Sequence, residues 1–265
     1  MLKANEEQIE FSDGLRLRDL AEKVKPEADI FIVNGYPAAP ETLLKDGDTC
    51  CLIKKGEIPS FDEMECLLMA RHTPGVHEKV RQATVGIMGL GGLGTLVASA
   101  LARVGVGRLV LADFDVVEPS NLNRQQYFIG QIGMKKTEAL KENLVRMNPY
   151  VKIDPVDQVL SEENIPQVFR DVDVLAECFD NAVMKAAALR AALHSLPGKG
   201  YVGASGLAGY EDNNWIKTTR IYPGVYIVGD NETAAGPGVG LMAPRVGIAA
   251  HQQANQILRI LLGEE

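Results

Sequence analysis

The chain has 265 residues, is 46% hydrophobic and carries a formal net charge of −8 from 35 acidic and 27 basic side chains. That length buries a substantial core and suits one large domain with or without a small module. The acidic balance excludes nucleic-acid binding driven by bulk charge, and no run of about eighteen apolar residues offers a membrane span. The start, MLKANEEQIEF, lacks the apolar region of a signal peptide, so a cytoplasmic protein with neither nucleic acid nor membrane as partner is expected. The cysteines are Cys50, Cys51, Cys66 and Cys178, with no CxxC spacing among them. Neither a disulfide framework nor a four-thiolate zinc site is expected, and each cysteine reads as a small buried hydrophobe.

In chain order, strand-like runs come first at Met1–Ala4 and Gln8–Phe11. A Ser12-Asp13-Gly14 turn leads to helical spacing over Leu15–Val24. Asp29–Val33 reads as a strand closed by the hairpin dipeptide Asn34-Gly35, and Thr49–Ile53 as a last strand after Lys45-Asp46-Gly47-Asp48. The order ββαββ within residues 1–57 predicts a β-grasp (ubiquitin-like) domain. With its closing run DGDTCCLIKKG, this segment resembles the ThiS-type sulfur carriers. Free carriers of that kind end in a Gly-Gly carboxylate, whereas here the chain continues as Gly56-Glu57-Ile58-Pro59-Ser60. The resemblance therefore implies a structural or docking module and not a substrate. A β-rich extension of another fold is the alternative.

Residues 58–82 read as a helical connector, with helix formers from Phe61 to Ala70 and a break at Arg71-His72-Thr73-Pro74-Gly75. Residues 83–265 form the second domain. Its opening is the most informative part of the chain. The apolar run Val85–Met88 feeds Gly89-Leu90-Gly91-Gly92-Leu93-Gly94, a helix pattern covers Thr95–Val104, and a second apolar run ends in Asp113-Phe114-Asp115. In such a unit Gly89 permits the turn, Gly91 lets backbone approach a phosphate, and Gly94 lets helix and strand pack closely. The helix N-terminus offers unpaired N–H groups to an anion. Asp113, nineteen residues past Gly94, stands where an acid accepts hydrogen bonds from a ribose.

Beyond it, Lys135–Met147 reads as a helix, Val151–Val156 as a strand, and Ser161 as the cap of a helix reaching Phe169. A strand at Asp173–Cys178, a helix from Ala182 to His194 and a strand at Tyr201–Ala204 follow. Trp215–Tyr222 and Val225–Val228 read as paired antiparallel strands, and Ala243–Leu262 as a closing helix. The alternation predicts an α/β fold: a Rossmann-like, doubly wound, mostly parallel sheet with antiparallel C-terminal strands.

A plain dinucleotide-binding dehydrogenase needs little beyond the glycine unit. This chain adds Asn121-Leu122-Asn123-Arg124-Gln125, Lys136 and Asp180. Strand C-termini share one crevice in a doubly wound sheet, so Asp113, Arg124 and Asp180 are expected to converge there. Arg124 and Lys136 could neutralise a triphosphate, and Asp180 could hold Mg2+. That set suits ATP better than NAD. Asp180-Asn181 as a mere helix cap and the two cations as solvated surface are the plainer readings.

The runs GLGGLG, DFDVVEPSNLNRQ and CFDN, and later VGLMAP, resemble the signature of the ThiF/MoeB/ubiquitin-activating superfamily over roughly residues 83–263. The resemblance implies an adenylyltransferase that uses ATP and Mg2+ to activate the C-terminal glycine carboxylate of a ThiS-like sulfur-carrier protein, with thiamine biosynthesis as the setting. It implies Gly89, Gly91, Gly92, Gly94, Asp113 and Asp115 as nucleotide-binding residues. Asn121, Arg124 and Lys136 handle phosphate, Lys135 leaving a one-residue ambiguity, and Asp180 binds the metal. It also implies a homodimer and a separate sulfur-donor protein. Arg71 is the candidate for an arginine reaching into a partner's site, at a shorter distance from the glycine turn than usual and without the usual motif. The paired CxxC zinc ligands of many relatives are missing, so no structural zinc is expected. No cysteine lies in residues 222–245, where sulfur-transferring members place theirs. Adenylation of a molybdopterin carrier, a tRNA base or a small acid, an NAD-dependent oxidoreductase and a non-catalytic scaffold are the rival readings.

Overall fold

The computed structural model describes residues 1–72 and 75–264, so the break expected at Thr73-Pro74 lies outside the described residues. The chain divides into two compact units, Met1–Lys79 and Val80–Glu265.

The first unit contains β1 (Leu2–Ala4), β2 (Glu7–Ile9), α1 (Leu17–Val24), β3 (Ile30–Val33), β4 (Tyr36–Pro37), β5 (Thr49–Ile53), α2 (Phe61–His72) and the start of α3 (Val76–Gln82). The sheet order is β2-β1-β5-β3-β4, with β1 and β5 parallel and the other pairs antiparallel. Asn34 and Gly35 both adopt positive φ, 52° and 80°, as the two-residue loop between β3 and β4 demands. The β5 sequence TCCLI is apolar at successive positions because both of its faces are covered. Cys50 and Leu52 join the core with Leu17 and Leu20 of α1. Cys51 and Ile53 face the opposite way, against Cys66, Leu67 and Ala70 of α2.

The stretch read above as a connector thus supplies the second cover of this sheet. Cys51 and Cys66 are joined as a disulfide with their Cα atoms 6.4 Å apart, which corrects the expectation that every cysteine is a simple buried hydrophobe. Alternation along β5 turns Cys51, not Cys50, toward the helix. Cys50 and Cys178 are buried and free, and burial pushes the Cys50 thiol up to about 12.

The second unit contains β6 (Thr84–Met88), α4 (Gly92–Arg103), β7 (Arg108–Asp113), α5 (Lys136–Met147), β8 (Lys152–Asp157), α6 (Ile165–Val168), β9 (Val174–Glu177), α7 (Ala182–Ser195), β10 (Gly200–Ala204), β11 (Lys217–Tyr222), β12 (Val225–Gly229) and α8 (Ala243–Leu262). Its sheet runs β11-β12-β10-β9-β6-β7-β8, parallel except for the β11–β12 pair. This is the expected Rossmann-like α/β architecture. Helix α4 packs against both α8 and α5. α6 and α7 supply Ile165, Ala188, Ala191 and Ala192 to a core with Val110, Ala112, Leu175 and Tyr201 of the sheet.

One helix is shorter than its pattern predicts. Ser161 and Asn164 exchange hydrogen bonds between side chain and backbone, closing a turn, and α6 begins only at Ile165 with Pro166 in its first turn. The placement of the site follows from strand order. The chain steps outward from β6 through β7 to β8, then returns to place β9 on the other side of β6. The C-terminal ends of β6 and β9 therefore flank the switch point, where such sheets bind ligands.

Candidate active site

Two turns leave the sheet at this switch point, Gly89–Gly91 after β6 and Cys178–Asn181 after β9. Gly89 has φ +87°, and a Cβ there would meet the Cys178 carbonyl oxygen at 3.1 Å and the Phe179 ring at 3.3 Å. The two turns are thus in contact. At Gly94 a Cβ would fall 2.0 Å from the Gly89 carbonyl oxygen, so helix and turn approach too closely for any side chain. Gly91 differs, since its nearest neighbour would be Gln125 Nε2 at 3.7 Å. The space above its backbone, at the start of α4, is open to an anion.

Asp113 ends β7 and accepts two backbone hydrogen bonds, from Leu90 N at 2.6 Å and Asp115 N at 2.9 Å. These fix a half-buried carboxylate beside the glycine turn with lone pairs left for a ribose. The segment after β7 is stitched to the same turn. Tyr127 Oη donates to Leu90 O at 2.8 Å, and Gln126 N donates to Thr95 Oγ1 at 3.2 Å. Arg124 lays its stem against Gly92, where a Cβ would stand 3.3 Å from Arg124 Cγ. Its guanidinium donates to Asn123 Oδ1 and Ser120 O and has no carboxylate partner among the described residues. A cation left uncompensated beside a helix N-terminus is available to phosphate.

Asn121 is buried, and its Oδ1 accepts from Glu118 N to close the turn over Glu118–Asn121. Its carboxamide nitrogen donates to Ser120 Oγ at 3.5 Å and to no other group among the described residues. Lys136 is also buried and pairs with Asp115 at 2.8 Å. Lys135 instead reaches Asp157 at the end of β8, at 3.4 Å. Lys135 also donates to Phe114 O at 3.3 Å, so it bridges the ends of β7 and β8 whereas Lys136 pairs at the end of β7. Arg71 lies exposed near the C-terminus of α2, in the first unit.

Asp180 and Asn181 separate cleanly. Asn181 Oδ1 accepts from Val183 N and Met184 N, so it is the N-cap of α7. Asp180 is exposed and its carboxylate has no partner among the described residues. Among those residues no group of three or more His, Cys, Asp or Glu side chains could hold a metal ion. A lone carboxylate beside a phosphate site nevertheless fits Mg2+, which takes one or two carboxylates with phosphate and water oxygens. Cys178 is fully buried and burial pushes its thiol far up, so it is not poised as a thiolate nucleophile.

Sequence reasoning missed two ion pairs, one buried and one half-buried. Glu177 pairs with Lys185 at 2.9 Å. Arg245 pairs with Asp230 at 2.7 Å and also donates to the Glu211 and Asp212 carbonyls. An acid closing the apolar run VLAE was the available signal for Glu177. Burial raises the Asp230 carboxyl, but hydrogen bonds from Thr233, Glu232 and Arg245 outweigh it and bring the pKa from 3.8 to about 2. The folded state therefore favours the carboxylate. Its contribution is complete above the unfolded value and is lost as pH falls through about 2. The stability gap between wild type and Asp230→Asn is expected to narrow between pH 5 and pH 2, measured as urea midpoints. A constant gap contradicts the assignment.

The glycine turn, the Asp113 carboxylate fixed beside it and the Arg124 and Asp180 charges, unpaired with one another or with any opposite charge among the described residues, fit a site for a phosphorylated ligand. The chain belongs to the ThiF family, whose model matches residues 66–265, while a ThiS-like ubiquitin model matches residues 1–56. It is 30% identical over 195 residues to the molybdopterin-synthase adenylyltransferase of Escherichia coli (strain K12), covering 70% of this chain and 76% of that protein. It is 31% identical over 233 residues to the adenylyltransferase and sulfurtransferase UBA4 of Eremothecium gossypii, covering 83% of this chain but 51% of the relative. The chain is accordingly an enzyme of the adenylyltransferase class. E. coli tRNA N6-threonylcarbamoyladenosine dehydratase, solved in complex with ATP, superposes with a TM-score of 0.70 over 78% of this chain and 98% of that one. At 21% identity this likeness speaks for the fold alone.

Proposed function

We propose that the chain adenylates the C-terminal glycine carboxylate of a ThiS-like sulfur-carrier protein with ATP, releasing pyrophosphate, in thiamine biosynthesis. The observation that supports this reading is the exposed Asp180 carboxylate on the turn whose Cys178 and Phe179 lie against Gly89, with Asn181 and not Asp180 capping α7. A carboxylate oxygen attacks the α-phosphorus; the new O–P bond forms as the bond to the bridging oxygen breaks and pyrophosphate leaves with the electron pair. The nucleophile is already ionised at neutral pH, so no general base is needed. Asp113 receives the ribose. Arg124 and the backbone N–H groups at the start of α4 face the phosphates and offset the repulsion between two anions. Lys136, held by Asp115, adds positive charge at the same strand ends, and Asn121 shapes the turn that presents Arg124.

Asp180 would hold Mg2+, which supplies charge neutralisation on the polyphosphate when bound. The ThiS-like match over residues 1–56 supports a carrier of that type. The fused module itself continues into α2 and so presents no terminal carboxylate. A homodimer, with Arg71 acting toward a partner's site, and a separate protein as sulfur donor complete the proposal. The second reading, a molybdopterin-type carrier, is favoured by the name of the E. coli relative.

Exchange of labelled pyrophosphate into ATP decides between them. It is expected to require a Gly-Gly-terminated carrier, with kcat/KM for a ThiS-type carrier at least about tenfold above that for a molybdopterin-synthase carrier, a preference of about 1.4 kcal/mol. The reverse order assigns the second reading. Exchange without any carrier contradicts both.

A further inference from the structure

We infer that Glu177 and Lys185 are a positioning pair that fixes the Cys178–Asn181 turn and thereby aims the Asp180 carboxylate at the nucleotide. This inference rests on the proposed metal-binding role of Asp180.

Glu177 is the last residue of β9 and is 1% exposed. Its carboxylate accepts from Lys185 Nζ at 2.9 Å and from Phe179 N at 2.7 Å. Lys185 lies in the first turns of α7 and also donates to Ala204 O at 2.8 Å, at the end of β10. A buried carboxylate and a half-buried ammonium therefore tie together a strand end, the following helix and the neighbouring strand end. The turn between the two residues is fixed on every side. Cys178 N donates to Met88 O at 2.9 Å, and Lys185 N to Asn181 O at 3.0 Å. Gln253 Nε2 reaches from α8 to Glu177 O at 3.0 Å and Val202 O at 3.1 Å. Space is reserved for the carboxylate as well, since a Cβ on Gly203 would stand 3.0 Å from Glu177 Oε2. Asp180 is the exception in this bonded turn, its exposed side chain without a partner among the described residues.

Stability alone does not account for this choice of residues. An ion pair with one partner buried and the other half-buried often contributes no more than a well-packed apolar pair, because desolvation offsets the attraction. What the charged pair adds is direction. Its hydrogen bonds specify the Phe179 N–H and the Ala204 carbonyl, and an apolar pair specifies neither. The turn that carries Asp180 is where that direction has a use.

The test measures Mn2+ binding by electron paramagnetic resonance in the presence of a non-hydrolysable ATP analogue, together with binding of the analogue alone without metal, on the full chain. Lys185→Met is expected to weaken Mn2+ binding about tenfold or more, as loss of groups supporting a metal ligand does. Metal-free analogue binding is expected to stay within about twofold, and Lys185→Arg to restore Mn2+ affinity to within about threefold of wild type. Unchanged Mn2+ binding in Lys185→Met, or equal losses with and without metal, overturns the inference. Should Lys185→Met fail to fold, the double variant Glu177→Gln/Lys185→Met leaves no unpaired buried charge and takes its place. Wild-type Mn2+ affinity there overturns the inference equally. Asp180→Ala is measured alongside. If it binds Mn2+ like wild type, the role assigned to Asp180 fails. If it loses Mn2+ while Lys185→Met does not, only the positioning role fails.

Discussion

Asp180→Ala is expected to lower carrier-dependent pyrophosphate exchange at least about 100-fold, the scale seen when one preorganised electrostatic contact to a transition state is removed. Its thermal midpoint should stay within about 2 °C of wild type, because an exposed group without partners among the described residues carries little stability. The neighbouring substitution makes the contrast. Asn181→Ala removes the cap of α7 and should cost about 1 kcal/mol of stability, with a smaller loss of exchange that comes from loosening the turn. Exchange rates and melting curves of the two variants are the measurement. If Asp180→Ala retains exchange, or melts as Asn181→Ala does, the carboxylate is structural and the proposed chemistry loses its metal site.

Two glycines of one turn should fail in different ways. Gly94→Ala forces a Cβ to within 2.0 Å of the Gly89 carbonyl oxygen. Helix α4 must then move off the turn, at a cost of about 3 kcal/mol, the upper end of overpacking penalties. Gly91→Ala meets nothing nearer than 3.7 Å, so its stability should match wild type. Its methyl group stands where a phosphate approaches the backbone, and ATP affinity should fall at least about tenfold, or about 1.4 kcal/mol. Urea midpoints and ATP titrations separate the two effects. A stable Gly94→Ala contradicts the packing account, and unchanged ATP affinity in Gly91→Ala contradicts the phosphate account.

The parts of the fold legible in the sequence are those that local chemistry dictates. Gly89 and Gly94 are required by a positive φ and by a backbone contact inside one turn. The last helix matched its pattern over Ala243–Leu262 because Pro244 sits in its first turn and Gly263 closes it in the left-handed conformation. The Asn34-Gly35 hairpin was readable for the same reason. What stayed hidden depends on contacts distant in sequence. The Cys51–Cys66 pairing follows from which face of β5 receives α2. No spacing rule reports that. The helix expected from Ser161 starts only at Ile165 because Ser161 and Asn164 satisfy each other and not a helix end. In the site, motifs mark Asp113, Arg124 and Asp180 individually. Which of Asp180 and Asn181 caps α7, and that Glu177 and Lys185 lie beneath them, emerges only from hydrogen-bond geometry.

The proposed reaction transfers an adenylyl group from ATP to a carrier's C-terminal carboxylate. The direct measurement is mass spectrometry of a co-purified ThiS-like carrier after brief incubation with the enzyme, ATP and Mg2+. The predicted result is a carrier heavier by one adenylyl group, seen with the intact Gly-Gly end and lost both on trimming that end and with Asp180→Ala. A carrier of unchanged mass, under conditions where the enzyme is shown to bind ATP, contradicts the proposal.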